Sequence, residues 1–276
     1  MVVADNLKDF TFWMQYPFFE SISSIELSAM LFGYSMQIFA DFAGYSLIAI
    51  GIAGLFGYQL RDNFMFPYIS SSFSEFWRRW HISLSTFLKE YLYIPLGGNR
   101  KGNLRTYFNL VVTMILGGLW HGAAWSYAVW GIYHGFALAI ERLLNQTLFL
   151  KSRDADAFQS DSTFVNFFYA VAQVLFVFIV VSLGWLLFKL PDFSQVIQYA
   201  KCMVTNPFVP GDKGRLFFIT IYSIPVVLYH LHYLLASKSM NYKSIFVKFQ
   251  FLLYGFLLFL VLTNSGSSGD FIYFQF

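Results

Sequence analysis

Charged side chains are scarce in this 276-residue chain, where aspartate, glutamate, lysine and arginine together make up 12% of all residues. A typical soluble domain contains roughly 25%, so the shortage of charge argues against a soluble protein. Cysteine is scarcer still, and because Cys202 has no second cysteine to pair with, a disulfide within the chain is excluded. The formal net charge is only +3 and the basic residues form no single soluble patch, so no nucleic-acid partner is expected.

Hydrophobic residues make up 57% of the chain and form long stretches without charge. Residues 164–188 and 216–235 each reach the roughly 20 residues that cross a bilayer. Residues 249–263 predict a short span, and residues 25–58 a broken or tilted one, because they are too long for a single straight span. We therefore predict an all-α, polytopic integral membrane protein, one domain over 1–276 in a lipid bilayer, with about five to seven membrane helices plus interfacial amphipathic helices.

Basic residues predict the orientation of these spans. Seven lysines or arginines and three acids lie between Arg61 and Arg105, and a second basic segment runs from Lys238 to Lys248. Since cytoplasmic segments are enriched in lysine and arginine, both segments are expected on the cytoplasmic side. The intervening spans then place residues 192–215, with Cys202, outside.

Residues 72–91 predict one amphipathic helix. Ser72 and Glu75 form a capping box, and apolar residues follow at spacings of three and four. The apolar stripe consists of Phe73, Trp77, Trp80, Leu84, Phe87 and Tyr91. A basic, tryptophan-rich helix of this kind suits the cytoplasmic membrane interface, and His81 lies on the flank of its stripe.

Two histidines in aromatic settings are the candidate catalytic residues. His81 lies in the segment F-W-R-R-W-H-I-S (76–83), and His121 in G-G-L-W-H-G (117–122). An ionisable residue in or beside a bilayer is costly, which makes it a candidate for function. The glycines around His121 interrupt an apolar stretch, so residues 107–140 are expected to form a helical hairpin or a broken helix.

Each histidine also has a structural interpretation. His121 could hydrogen-bond a neighbouring helix, and His81 could be an interfacial residue. A structural role is expected for His134, which would point away from His121 on a continuous helix. His230 and His232 are expected to be interfacial anchors.

Several segments together resemble the membrane-bound O-acyltransferase family, in particular its alginate O-acetyltransferase branch. They are residues 34–45, 76–85, 91–100, 116–124 and 271–276. Their order is highly specific, and the resemblance runs along essentially the whole chain. Members of that family have further membrane helices before the point where this chain starts, so a C-terminal portion of a longer protein is expected.

The resemblance implies a function and a location. His121 corresponds to the family's catalytic histidine, and His81 to its second active-site position. The implied reaction carries an acetyl group from a thioester towards hydroxyls of an exported polysaccharide, in the bacterial inner membrane. Acetyl-CoA is the expected donor on the cytoplasmic side, and periplasmic acetyl-transfer proteins are the expected partners on the outer side. No tightly bound cofactor and no metal are predicted.

Acid–base chemistry agrees with these roles. A hydroxyl is a poor nucleophile at neutral pH, and an imidazole that takes its proton accelerates attack by about 10² to 10⁴. We assign His121 as the general base, and His81 as a group that orients a substrate or stabilises the oxyanion. Further candidates for substrate binding are Trp120, Arg78, Asp41, Arg100 and Lys101, although Asp41 also suits a structural ion pair and the last two a plain cytoplasmic turn.

Three alternatives stay open. The acyl group could be D-alanine, transferred to teichoic acid from a carrier-protein thioester. A transporter built around Asp41, His81 and His121 is an alternative from another class. The chain could also act as an inactive scaffold if missing helices complete the site.

Overall fold

The computed structural model describes residues 2–122, 124–149, 163–190, 192–238 and 240–264, so the motif at 271–276 lies outside the described residues. These residues form helices and no strand, as the all-α prediction requires. Ten α-helices are described: α1 (Val2–Thr11), α2 (Ser24–Leu55), α3 (Phe73–Arg79), α4 (Ile82–Leu88), α5 (Asn103–His121), α6 (Trp125–Phe149), α7 (Thr163–Lys189), α8 (Phe193–Thr205), α9 (Lys213–Lys238) and α10 (Met240–Thr263). A π-helical segment, Lys89–Tyr93, follows α4.

Four helices of the described residues are long and apolar enough to cross a membrane. They are α2, Val165–Lys189 of α7, Lys213–Ser237 of α9 and Phe246–Thr263 of α10. The stretches predicted at 164–188, 216–235 and 249–263 fall within α7, α9 and α10. The protein is therefore a multi-pass membrane protein, and a total of five to seven membrane helices stays a prediction.

The sequence predicts a broken or a tilted span over residues 25–58, and the structure contains no break there. α2 is one continuous helix of 32 residues, about 48 Å long at 1.5 Å per residue. The stretch contains no proline, and Ser23 caps its start by accepting a hydrogen bond from the Glu26 N–H at 3.3 Å. The helix ends where Gly57 adopts a positive φ of 81°, a conformation that suits glycine.

The chain divides into two compact units. The first consists of residues 1–62 and 192–276, the second of residues 63–191. In the first unit the start of α2 meets the start of α9, where Arg215 pairs with Glu26. Farther along the same two helices, the rings of Phe39 and His230 lie 5.1 Å apart. Thus α2 and α9 run parallel and end at the same end of this unit.

In the second unit α5 and α6 form a helical hairpin. Close backbone approach holds it together, since a Cβ on Gly118 would lie 2.1 Å from the Tyr127 carbonyl oxygen. A Cβ on Gly131 would likewise lie 2.3 Å from the Met114 carbonyl oxygen. α7 packs on α6, where the Tyr133 hydroxyl donates to the Val180 carbonyl at 2.8 Å.

The prediction of one helix over residues 72–91 is wrong. α3 ends at Arg79, Trp80 is extended, and His81 is left-handed with φ 44° and ψ 54° before α4 begins. The Ser72 half of the predicted capping box is correct, because Ser72 accepts a hydrogen bond from the Glu75 N–H at 3.1 Å. The Glu75 carboxylate accepts from the Ser71 N–H at 2.8 Å, one residue before the position that the box requires. The break arises from tertiary packing, which buries Trp80 to 2% exposure, and a local apolar pattern does not contain that information.

Candidate active site

The break between α3 and α4 turns His81 towards the end of α5 in the second unit. Its ring centroid lies 6.5 Å from that of His121 and 6.1 Å from that of Trp120. His81 is only 7% exposed, whereas Trp120 is 58% exposed. The two predicted catalytic histidines and one predicted binding residue therefore lie together.

Aromatic rings surround His121, the last residue of α5. Trp130 lies 5.5 Å away and Phe188 5.1 Å away between ring centroids, both nearly perpendicular to the imidazole. The next residue, Gly122, allows close packing, since a Cβ there would lie 2.7 Å from the Tyr127 ring. Tyr127 therefore packs close to the end of α5. The ring centroids of Tyr127 and His121 are 6.5 Å apart.

Burial keeps both imidazoles neutral. It is the main cause that lowers the pKa of His81 to about 3, and the neighbouring His121 lowers it further. Burial also lowers the pKa of His121 to about 4. Both histidines lie outside the four candidate spans. At pH 7 each ring therefore carries one N–H donor and one lone pair that can accept a proton.

This arrangement suits acid–base chemistry on a neutral substrate. The two imidazoles are close enough to contact one reacting group, so that one accepts a proton while the other donates a hydrogen bond. Such bonds are stronger where aromatic walls keep water away.

The other four predicted binding residues belong to three different segments. Arg78 is exposed on α3, and Arg100 and Lys101 are exposed in the turn before α5. Because α5 has 19 residues, this turn is separated from His121 by about 28 Å of helix. Asp41 belongs to α2 of the first unit and is partly buried there.

His134 is closer to the site than the sequence indicates. It is fully buried on α6, and its ring centroid lies 4.8 Å from that of Trp130, which itself contacts His121. The expectation that His134 points away from His121 assumed one continuous helix. That continuous helix is absent, because α5 ends at His121 and α6 begins at Trp125. The structural role expected for His134 stays a prediction.

Sequence reasoning missed three residues that build the site. Trp130 and Phe188 form walls around His121, and Asn63 binds the backbone next to His81. No local motif marks any of them. Only the Trp130 position, nine residues after His121 in a predicted hairpin, could have been anticipated from the spacing.

The sequence of the chain matches a known protein family. The sequence profile of "MBOAT, membrane-bound O-acyltransferase family" matches residues 2–183, which include both histidines. The chain is 49% identical over 179 residues to "Probable alginate O-acetylase AlgI" of Pseudomonas putida, an alignment that covers 65% of this chain and 33% of that protein.

More distant relatives act on other polymers. The chain is 36% identical over 207 residues to "Peptidoglycan O-acetyltransferase" of Helicobacter pylori, covering 74% of this chain and 36% of that protein. It is 36% identical over 126 residues to "Teichoic acid D-alanyltransferase" of Streptococcus thermophilus, covering 43% of this chain and 30% of that protein. The chain spans about a third of the length of these curated relatives. With the profile matching well over half of its residues, the chain belongs to the membrane-bound O-acyltransferase family.

Proposed function

We propose that the chain carries the catalytic histidines of an O-acyltransferase that transfers an acetyl group from a thioester donor to hydroxyls of an exported polysaccharide. The observation that carries this proposal is the pair His81 and His121, 6.5 Å apart and enclosed by aromatic rings. The family match and the alginate O-acetylase of Pseudomonas putida support the reaction class and the kind of acceptor.

The proposed reaction is direct transfer without an acyl-enzyme. A hydroxyl oxygen of the acceptor attacks the carbonyl carbon of the thioester while its proton moves to His121. The N–H of His81 donates a hydrogen bond to the oxyanion of the tetrahedral intermediate. Collapse of this intermediate breaks the C–S bond, and the proton returns from His121 to the leaving thiolate.

Acetyl-CoA is the donor that we propose, reaching the protein from the cytoplasmic side of the bacterial inner membrane. The acceptor is an exported glycan, reached directly or through a periplasmic acetyl-transfer protein. The names of the relatives allow two other acceptors, peptidoglycan and teichoic acid. D-alanyl transfer would require a carrier-protein thioester in place of acetyl-CoA, so the donor distinguishes these reactions.

The test measures label transfer by the purified chain in lipid nanodiscs. Radiolabelled acetyl-CoA or a radiolabelled D-alanyl carrier protein is supplied with alginate, peptidoglycan fragments or teichoic acid. His121→Ala is compared with wild type, and His232→Ala on α9 of the first unit is the matched histidine control. We expect acetyl transfer to fall at least about 10²-fold in His121→Ala and to remain in His232→Ala.

Each other outcome has a definite meaning. Transfer that is unchanged in His121→Ala would remove His121 as the general base. Transfer only from the carrier protein would replace acetyl with D-alanyl chemistry. If the wild-type chain transfers no label from either donor, the proposal is wrong for this chain, and the transporter and scaffold alternatives remain.

A further inference from the structure

The backbone at His81 is unusual. With φ 44° and ψ 54°, His81 adopts the left-handed conformation, which is unfavourable for a residue that has a Cβ. Among the described residues, only Phe66 shares a positive φ without being glycine. Such a conformation persists where the surrounding structure holds it.

Asn63 makes hydrogen bonds that stabilise the left-handed conformation of His81. The Asn63 carbonyl oxygen accepts a hydrogen bond from the Ile82 N–H at 3.0 Å. The Asn63 side-chain Oδ1 accepts from the Ser83 N–H at 3.1 Å and from the Ser83 hydroxyl at 3.0 Å. These are the first two N–H groups of α4, which have no partner within the helix.

A helix start is ordinarily capped by the side chain of its own N-cap residue. The N-cap residue of α4 is His81, and its side chain makes no capping hydrogen bond. Asn63 caps the helix in its place from twenty residues away in the sequence. The His81 imidazole is thereby left to face His121.

Neighbouring bonds keep Asn63 next to this break. The Met65 N–H donates to the Arg79 carbonyl at 2.9 Å, and the Arg79 guanidinium donates to the Met65 carbonyl at 3.0 Å. The segment from Asn63 to Met65 therefore binds the chain on both sides of Trp80 and His81. Any residue at position 63 would offer the carbonyl, but the Oδ1 bonds need asparagine or aspartate.

We infer that Asn63 is a positioning residue of the active site, which caps α4 from outside and so directs the His81 imidazole towards His121. This inference rests on the proposed function for its effect on acyl transfer. Without Oδ1, the Ser83 N–H loses this acceptor, and the turn at His81 loses two of the three hydrogen bonds to Asn63 described above. The imidazole then moves away from the reacting group.

The main test compares Asn63→Leu, which has a similar size and no acceptor, with Asn63→Asp, which keeps the acceptor. Ser72→Ala is the matched control, since it removes an equivalent side-chain cap from α3. We expect Asn63→Leu to lower kcat about 10- to 100-fold, as small misplacements of catalytic groups do, with KM for acetyl-CoA nearly unchanged. Asn63→Asp and Ser72→Ala should keep kcat near wild type.

A second readout does not depend on acyl transfer. Diethyl pyrocarbonate modifies accessible imidazoles, and mass spectrometry measures the modification of His81 relative to His121. We expect it to increase at His81 in Asn63→Leu only. If wild type transfers no acetyl group but this pattern holds, the proposed function fails while the positioning role of Asn63 stands.

Other outcomes would overturn the inference. Unchanged kcat and unchanged His81 modification in Asn63→Leu would show that Oδ1 positions nothing. Equal losses in Asn63→Leu, Asn63→Asp and Ser72→Ala, in step with their melting temperatures, would show a general stability effect. Asn63→Ala replaces Asn63→Leu if the latter does not fold, and failure of both to fold would make Asn63 a folding determinant only.

Discussion

The proposed mechanism uses neutral rings of His81 and His121. Two positively charged imidazoles with ring centroids 6.5 Å apart would repel each other, and burial already disfavours either charge. At neutral pH, each uncharged imidazole has one nitrogen that accepts a proton and one N–H that donates a hydrogen bond. The price of burial is a weaker base, because a lower pKa reduces the affinity of the ring for a proton.

Substitution of His81 separates its backbone role from its chemical role. Both His81→Gly and His81→Ala should reduce acyl transfer by about 10²- to 10³-fold, as expected when one oxyanion donor is removed. Their stabilities should differ, because alanine in the left-handed region is unfavourable by about 1 kcal/mol and glycine is not. We expect the glycine variant to have the higher melting temperature.

Ser85 within α4 is the control position. In a helix interior alanine is more favourable than glycine, the reverse of the order expected at His81. Ser85→Ala should therefore be more stable than Ser85→Gly by about 1 kcal/mol. Thermal unfolding in detergent measures all four variants. Equal melting temperatures for the two His81 variants would contradict the left-handed turn.

At the scale of elements, the α5–α6 hairpin places His121. Its helices touch backbone to backbone because small residues line the contact, including Gly118 and Gly131. The reversal after Gly122 then brings Trp130 of α6 against His121 of α5. An apolar stretch with glycine interruptions is compatible with this hairpin and also with a kinked helix, so the choice between them depends on packing.

Gly118→Ala should destabilise the hairpin. Its Cβ would meet the Tyr127 carbonyl oxygen at 2.1 Å, and a backbone atom in a helix cannot move aside without separating α5 from α6. We expect a loss of about 1 to 3 kcal/mol in the free energy of unfolding, together with lower acyl transfer. Thermal unfolding and label transfer measure the two effects.

Two glycines provide graded controls. Gly117→Ala meets the flexible end of the Leu88 side chain, so its effect should be smaller. A Cβ added to Gly51 of α2 would have no neighbouring atom within 4 Å. Alanine at this position should therefore stabilise the helix by up to about 1 kcal/mol. A Gly118→Ala protein as stable as Gly51→Ala would disprove the close backbone contact.

At the scale of the whole molecule, the spans and the basic segments decide orientation. The parallel course of α2 and α9 puts the start of α2 at the same end of the first unit as α8, where Tyr199 donates to the Leu27 carbonyl at 2.8 Å. The residues before α2 and the segment carrying Cys202 therefore share one end of this unit. The basic-residue pattern predicts that this end faces outside.

The single cysteine tests that orientation. A membrane-impermeant maleimide should label Cys202 in intact cells, while Cys202→Ser removes the signal. In the Cys202→Ser background, Lys101→Cys should react only after the membrane is permeabilised, because Lys101 lies exposed in the basic turn predicted to be cytoplasmic. Labelling of Cys202 only in permeabilised cells would reverse the predicted orientation.

The sequence by itself determined the all-helical membrane class, the family and the two catalytic candidates. These features are local, since spans follow from the length of apolar stretches and the motifs around His81 and His121 are continuous in the chain. Their approach to each other required the tertiary structure, because they lie forty residues apart in the sequence.

The tertiary structure alone decided the break at His81, the contact of Trp130 with His121, and the capping of α4 by Asn63. Each depends on partners that are distant in sequence or on opposite arms of a hairpin. The apolar stripe over residues 72–91 fits one helix by period, yet Asn63 and buried Trp80 stabilise a turn within it. Local periodicity reports which face is apolar, whereas the energy of such long-range contacts decides where a helix stops.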